Sequence, residues 1–160
     1  MKNNSKGSDS VLGKVKNGEL TLDNTKHKGN FGEMNMDDVV ENKKSLDKIS
    51  ENSVTSSDRK IEKGIDGVYE DQTGGPPKFI IGEAKNNTVQ LNMFTDRAKQ
   101  MSIDWIPPRV VDAVGKEKVF ENLLELKLNP DYVQFLVIRT LDESGTYVEE
   151  ILDKAGKIIK

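Results

Sequence analysis

Cysteine is absent from this 160-residue chain, which excludes a disulfide framework and any thiolate zinc site. Histidine occurs once, as His27, in a polar stretch where a lone imidazole is expected to be solvated rather than to bind zinc or phosphate. No apolar run approaches the length of a membrane span, and the start MKNNSKGSDS lacks the hydrophobic stretch of a signal peptide; the chain is therefore read as soluble and without an address of its own. A basic excess is missing too. The net charge is −3, whereas nucleic-acid binders usually carry a basic footprint. That charge is unevenly spread: residues 1–30 are net basic, 31–75 net acidic and 76–160 close to neutral. The acidic middle suits either a divalent-cation site or a solvated helix face.

Apolar residues make up 34% of the chain, enough for one modest core at this length. Residues 1–27, rich in Lys, Asn, Ser and Gly, are expected to be a flexible polar lead, because they offer little apolar surface to offset the entropy of ordering. The remaining 28–160 form the expected domain. Phe31, Met34, Val39 and Val40 recur at helical offsets and predict a helix near 30–44, opened by Gly29 and Asn30. The segment SENSVTSSDRK reads as a loop or weak edge strand. KGIDGVYED alternates as a strand, DQTGGPP is a turn signal, and the apolar KFIIGEAK is the returning strand of a hairpin. Further on, Thr95 to Trp105 and VFENLLELKL predict helices, VVDAVG a helical turn stopped by Gly115, and YVQFLVIRTL a strand. GTYVEEILDKAGKIIK predicts a strand, a turn at 154–156 and a closing strand, although Glu149 and Glu150 would also suit a helix.

The feature that carries chemistry is Asp66 on one hairpin strand and Glu83-Ala84-Lys85 on the next. Side chains alternate along a strand, so Glu83 and Lys85 share a face and Ala84 takes the other. Pairing through the turn brings Asp66 beside Glu83, offering two carboxylates to a hard cation such as Mg²⁺ or Mn²⁺. Such an ion relieves the repulsion between the acids, polarises a phosphoryl oxygen and activates a bound water. Lys85 then either orients or deprotonates that water or stabilises charge in the transition state. The bland alternative is that Glu83 and Lys85 mark where the strand emerges into solvent.

The pieces KGNFGE, GIDGVYE, PPKFIIGEAK and QMSIDWI, in this order across roughly residues 28–106, resemble the PD-(D/E)XK nuclease domains that end contact-dependent growth inhibition and related polymorphic toxins. The resemblance implies an α/β (α+β) fold, a central mixed sheet flanked by helices. It assigns Asp66 and Glu83 to the metal (Mg²⁺, Mn²⁺ or Zn²⁺), Lys85 to catalysis, and Glu33 to the supporting acid on the first helix. Gln100 matches a helical Gln that hydrogen-bonds the site or a phosphate. Ile65 stands where the name motif has Pro. The resemblance further implies a nuclease toxin delivered by a larger secreted or cell-surface chain, acting in the target-cell cytoplasm and neutralised by a cognate immunity protein. DNA is the expected substrate, with tRNA as the alternative.

Among the other candidates, Trp105 and Met101 are expected in the core rather than stacked on a base. Arg97, Lys99 and Arg109 are basic groups within reach of backbone phosphates or merely solvated. Two rivals remain at this stage: a restriction or repair enzyme of the same fold, and a non-catalytic binding domain in which the three residues are surface charges.

Overall fold

A computed structural model of the protein describes residues 5–50, 65–87, 132–153 and 155–159, with positions 54, 56, 58, 100, 101, 106, 109 and 113–115. The expected helices at 95–105 and in VFENLLELKL lie outside the described residues, apart from Gln100 and Met101, as does Trp105.

Helix α1 spans Ser5–Lys16, where a flexible lead was expected. Its Leu12 and Val15, three positions apart, point inward and are buried with Leu22, Phe31, Met34 and Val54. Average composition hid these few apolar residues, whose helical spacing becomes effective once a second helix supplies a surface to cover. Lys14 and Lys16 close the last turn of α1, where a positive charge complements the carbonyl end of the helix.

Helix α2 spans Thr25–Asp38 and starts a turn before the expected position, because Asn24 caps it: its side-chain oxygen accepts the His27 N–H at 2.9 Å. Val39–Lys43 continues it as a π-helical turn. Phe31 and Met34 pack toward α1, while Met36, Val39 and Val40 pack on a sheet. Serving two layers explains the unbroken buried run from Asn30 to Asp37.

That sheet contains β1 (Asp47–Lys48), β2 (Gly67–Glu70), β3 (Phe79–Asn86), β4 (Val133–Thr140) and β5 (Tyr147–Leu152), lying side by side in chain order. All neighbours are antiparallel except β3 and β4, which run parallel. The protein is thus α+β, with a five-stranded mixed sheet and helices. The expected hairpin is present: Gly67 faces Gly82 and Glu70 faces Phe79, around a turn in which the Asp71 carboxylate accepts from the Thr73 N–H and hydroxyl. The YVQFLVIRTL and TYVEEIL segments are strands as expected, residues 113–115 are helical with Gly115 at φ +76°, and Ile158 bridges back to Leu152. No described helix is long and apolar enough to cross a membrane.

Period-2 alternation divides the core. Phe79, Ile81, Val133, Phe135 and Val137 share one face with Ile65, Val68, Met101, Ile106 and Val114. Ile80, Ala84, Leu136 and Ile138 take the α2 face with Tyr69. The facing pair Gly67 and Gly82 makes a slot for the Tyr69 ring, since a Cβ at Gly67 would collide with that ring and its hydroxyl, and one at Gly82 would press Met36 Sδ at 3.0 Å.

Under this slot lies a buried polar cluster that no local residue pattern predicts. Tyr69 OH donates to Asp37, and Lys48 Nζ meets the other oxygen of Asp37 at 2.9 Å, the two charged side chains being 2% and 6% exposed. Glu41, 5% exposed, has its Oε2 without a hydrogen-bond partner among the described residues. Burial, then the charge of Asp37, pushes its carboxyl up to about 7, with Lys48 pulling the other way. The folded state therefore keeps a proton that the unfolded chain loses near 4.5, so this group's contribution to stability falls as pH rises between those values and stays low above them. Glu41→Gln is expected to stabilise the protein by up to about 3 kcal/mol at pH 8 and to change little at pH 4. Urea unfolding at both pH values checks this, and an equal effect at both would refute it.

Candidate active site

The hairpin register that sets Gly67 against Gly82 brings Asp66 and Glu83 together where β2 begins. Asp66 lies one residue before the strand, and its Oδ2 accepts the Ala84 N–H at 2.9 Å. The carboxylate thus takes the place of the carbonyl that a longer β2 would have supplied to the ladder. This bond anchors the side chain from the neighbouring strand.

Glu83 is 4% exposed, although it follows the apolar run of β3. Gln100 Nε2 donates to its Oε1 at 2.6 Å, and Lys85 Nζ lies 3.5 Å from the same oxygen. Its Oε2 is buried and accepts no hydrogen bond from the described residues, while the Glu83 and Asp66 carboxyls are close enough to share a proton. An unmet buried carboxylate oxygen is costly and calls for an explanation. Burial, then the charge of Asp66, holds the Glu83 carboxyl well above the usual range, with Glu33 adding to the rise and Lys85 opposing it. Burial likewise pushes Asp66 up to about 6, against the Ala84 hydrogen bond, Glu83 and Lys85. Two neighbouring acids in a dry site keep hold of a proton because both cannot ionise freely.

The structure therefore places Asp66, Glu83, Lys85 and Gln100 together. Glu33 is buried on α2, and its charge reaches Glu83. Even so, among the described residues no three acidic or histidine side chains converge closely enough to hold a metal ion by themselves. Two carboxylates with one unmet oxygen still fit a hard divalent cation that keeps several waters, Mg²⁺ in particular. Its charge would favour the ionised form of both acids.

Other candidates fall elsewhere. The ring of His27 is 13% exposed rather than solvated. Its Nδ1 accepts the Asp23 N–H, which leaves Nε2 to donate to Asp58 at 2.7 Å; the imidazole ties the start of α2 to a distant segment instead of entering the site. Met101 is fully buried, as expected. Arg109 is partly buried, while Arg97 and Lys99 lie outside the described residues.

One charged group beside the site escaped the sequence reading. The parallel register sets Arg139 next to Lys85; its Nη2 meets Glu150 Oε1 at 2.9 Å and its Nη1 donates to the Asn87 carbonyl at 2.8 Å. The available signal was an arginine at alternate spacing from Phe135 and Val137, within an otherwise apolar strand, where a charge needs a partner. Comparisons of the chain with protein-family models, with curated proteins and with solved structures find no match.

Proposed function

We propose that this protein is a metal-dependent nuclease of the PD-(D/E)XK type, hydrolysing phosphodiester bonds of DNA in preference to tRNA. The observation that carries the reading is the pairing of half-buried Asp66 with buried Glu83, with Glu83 Oε2 accepting no hydrogen bond from the described residues and Lys85 Nζ 3.5 Å from the opposite oxygen. Structural acids are ordinarily neutralised or fully hydrogen-bonded, and perturbed carboxyls beside a lysine are a recurring mark of reactive sites. The antiparallel β1–β2–β3 run followed by a parallel β4 supports the same reading, since the resemblance implies a mixed sheet with flanking helices.

In this reading Asp66 and Glu83 hold the cation, and Glu33 supports it from α2. The ion, when bound, supplies Lewis acidity and a water of lowered pKa. Gln100 occupies Glu83 Oε1 and so fixes the rotamer that leaves Oε2 for the ion. Lys85, on the same face, is placed to orient the attacking water or to balance charge gathering on the phosphoryl oxygens. Water gives up a proton as it adds to phosphorus, and the ester oxygen leaves with the electrons of the broken P–O bond and takes up a proton from solvent, giving a phosphomonoester and a hydroxyl. By the same resemblance the chain is the toxic module of a larger secreted or cell-surface toxin. It would act in the target-cell cytoplasm and be neutralised by a cognate immunity protein.

The test is incubation with plasmid DNA and with total tRNA, each with EDTA, Mg²⁺, Mn²⁺ or Zn²⁺, beside Lys85→Ala. DNA cleavage is expected only with metal, and the variant should lose about a hundredfold or more. Selective tRNA cleavage would overturn the substrate and keep the site. Failure to cut either favours a non-catalytic binding domain, for which the missing third ligand among the described residues is the specific observation.

A further inference from the structure

A cleft of about 550 Å³ opens between the first turns of α2, the end of β3 and the β4–β5 turn. It shares Lys85 with the site. Along α2, Thr25 and Gly29 line it and Glu33 follows four positions later, so one helix stripe runs from the cleft to the acids. The volume falls within the range of about 300–1,000 Å³ typical of small-ligand sites, too small for a stacked base pair with its backbones.

Its walls differ in character. Lys28 and Lys85 come from the α2 and β3 side, Asp142 and Glu143 from the β4–β5 turn, and Leu22 and Leu141 contribute apolar surface. The acidic wall is held in place: one Asp142 oxygen accepts the Ser144 N–H, the Ser144 hydroxyl and the Thr146 N–H. The Ser144 hydroxyl, the largest influence, keeps that carboxyl below its usual range. Asn35 Nδ2 ties the turn to α2 through the Gly145 carbonyl at 3.1 Å. A polyanion offered only phosphates would be repelled by this wall, whereas a base bearing an exocyclic amino group would be accepted by it.

We infer that the cleft receives one unpaired nucleotide of the substrate strand next to the bond to be cut, its phosphate toward Lys28 and Lys85, its base over Leu22 and Leu141, and an exocyclic amino group toward Asp142 and Glu143. This rests on the nuclease reading and adds to it that the strand is engaged single-stranded or with a base turned out. It also adds that cytosine is preferred to thymine.

The test is fluorescence anisotropy in EDTA with short labelled oligodeoxycytidine and oligothymidine, using the wild type, Glu143→Ala and Leu141→Trp. Leu141 is 37% exposed, so the larger ring is expected to fill the cleft without disturbing the fold, and a melting curve checks that. Oligodeoxycytidine should bind about tenfold more tightly than oligothymidine. Glu143→Ala should narrow that gap, and Leu141→Trp, whose ring takes up the volume the base needs, should weaken both by about tenfold. Equal affinity for both oligomers, or full affinity in Leu141→Trp, overturns the inference. Binding in EDTA involves no cleavage, so this failure is separate from a failure of the nuclease reading, which would appear as no metal-dependent cutting in a parallel digest.

Discussion

Glu83→Gln is expected to remove cleavage, by about a thousandfold or more, and at the same time to raise the melting temperature by roughly 5 °C. The two effects share a cause. Glu83 is buried, faces the charge of Asp66, and carries an oxygen that accepts no hydrogen bond from the described residues. A glutamine keeps the acceptor that Gln100 uses and is never charged, so burial and repulsion no longer oppose folding. The gain should be about 1–3 kcal/mol at neutral pH. What is lost is the anionic oxygen that would meet the cation, and with it the attacking water. Differential scanning calorimetry beside a plasmid digest measures both. A variant that is stabilised yet still cleaves would remove Glu83 from the site, and one that is destabilised would mean that the acid is structural.

Asp37→Ala is expected to destabilise the protein by about 3–5 kcal/mol, because breaking a buried ion pair from one side leaves the other charge in a dry environment. Asp37 accepts from Lys48 Nζ on one oxygen and from the Tyr69 hydroxyl on the other. The substitution strips the buried ammonium and the phenol of this carboxylate together. Adding Lys48→Met should return about 2 kcal/mol or more, since the buried ammonium that has lost its 2.9 Å carboxylate is then gone as well. Urea unfolding of both variants decides it, and a double variant no more stable than Asp37→Ala would place the cost elsewhere. The cluster also matters for the site. Tyr69 binds β2 to α2 two residues beyond Gly67, and Asp66 stands at the start of that strand, so the pose of the acid depends on the slot holding.

Much of the β structure was legible because its signals are local. The hairpin announced itself through DQTGGPP between two apolar runs, β4 through FLVI, and β5 with its turn through TYVEEIL and the Lys154-Ala155-Gly156 stretch. Each depends on turn chemistry and period-2 alternation within a few residues. The start of α2 was misplaced because Asn24, its cap, sits in a segment whose composition resembles a linker. The strand at Asp47–Lys48 has two residues and no apolar character, and it exists only because β2 offers an edge to pair with.

The candidate site divides the same way. That Glu83 and Lys85 share a face follows from strand geometry, and that Asp66 meets them follows from the length of one hairpin, so both lie within the reach of sequence. What Glu83 experiences does not. Its partner Gln100 arrives from a segment beyond the hairpin, Arg139 arrives by a parallel pairing with no short-range signature, and Glu33 comes from a helix more than thirty positions before Asp66. The residues of this chain determined by themselves which side chains could react and on which strands they stand. Tertiary packing alone decided which of them are dry, which are paired and which oxygen is left unmet, because burial and through-space charge depend on what every other segment covers.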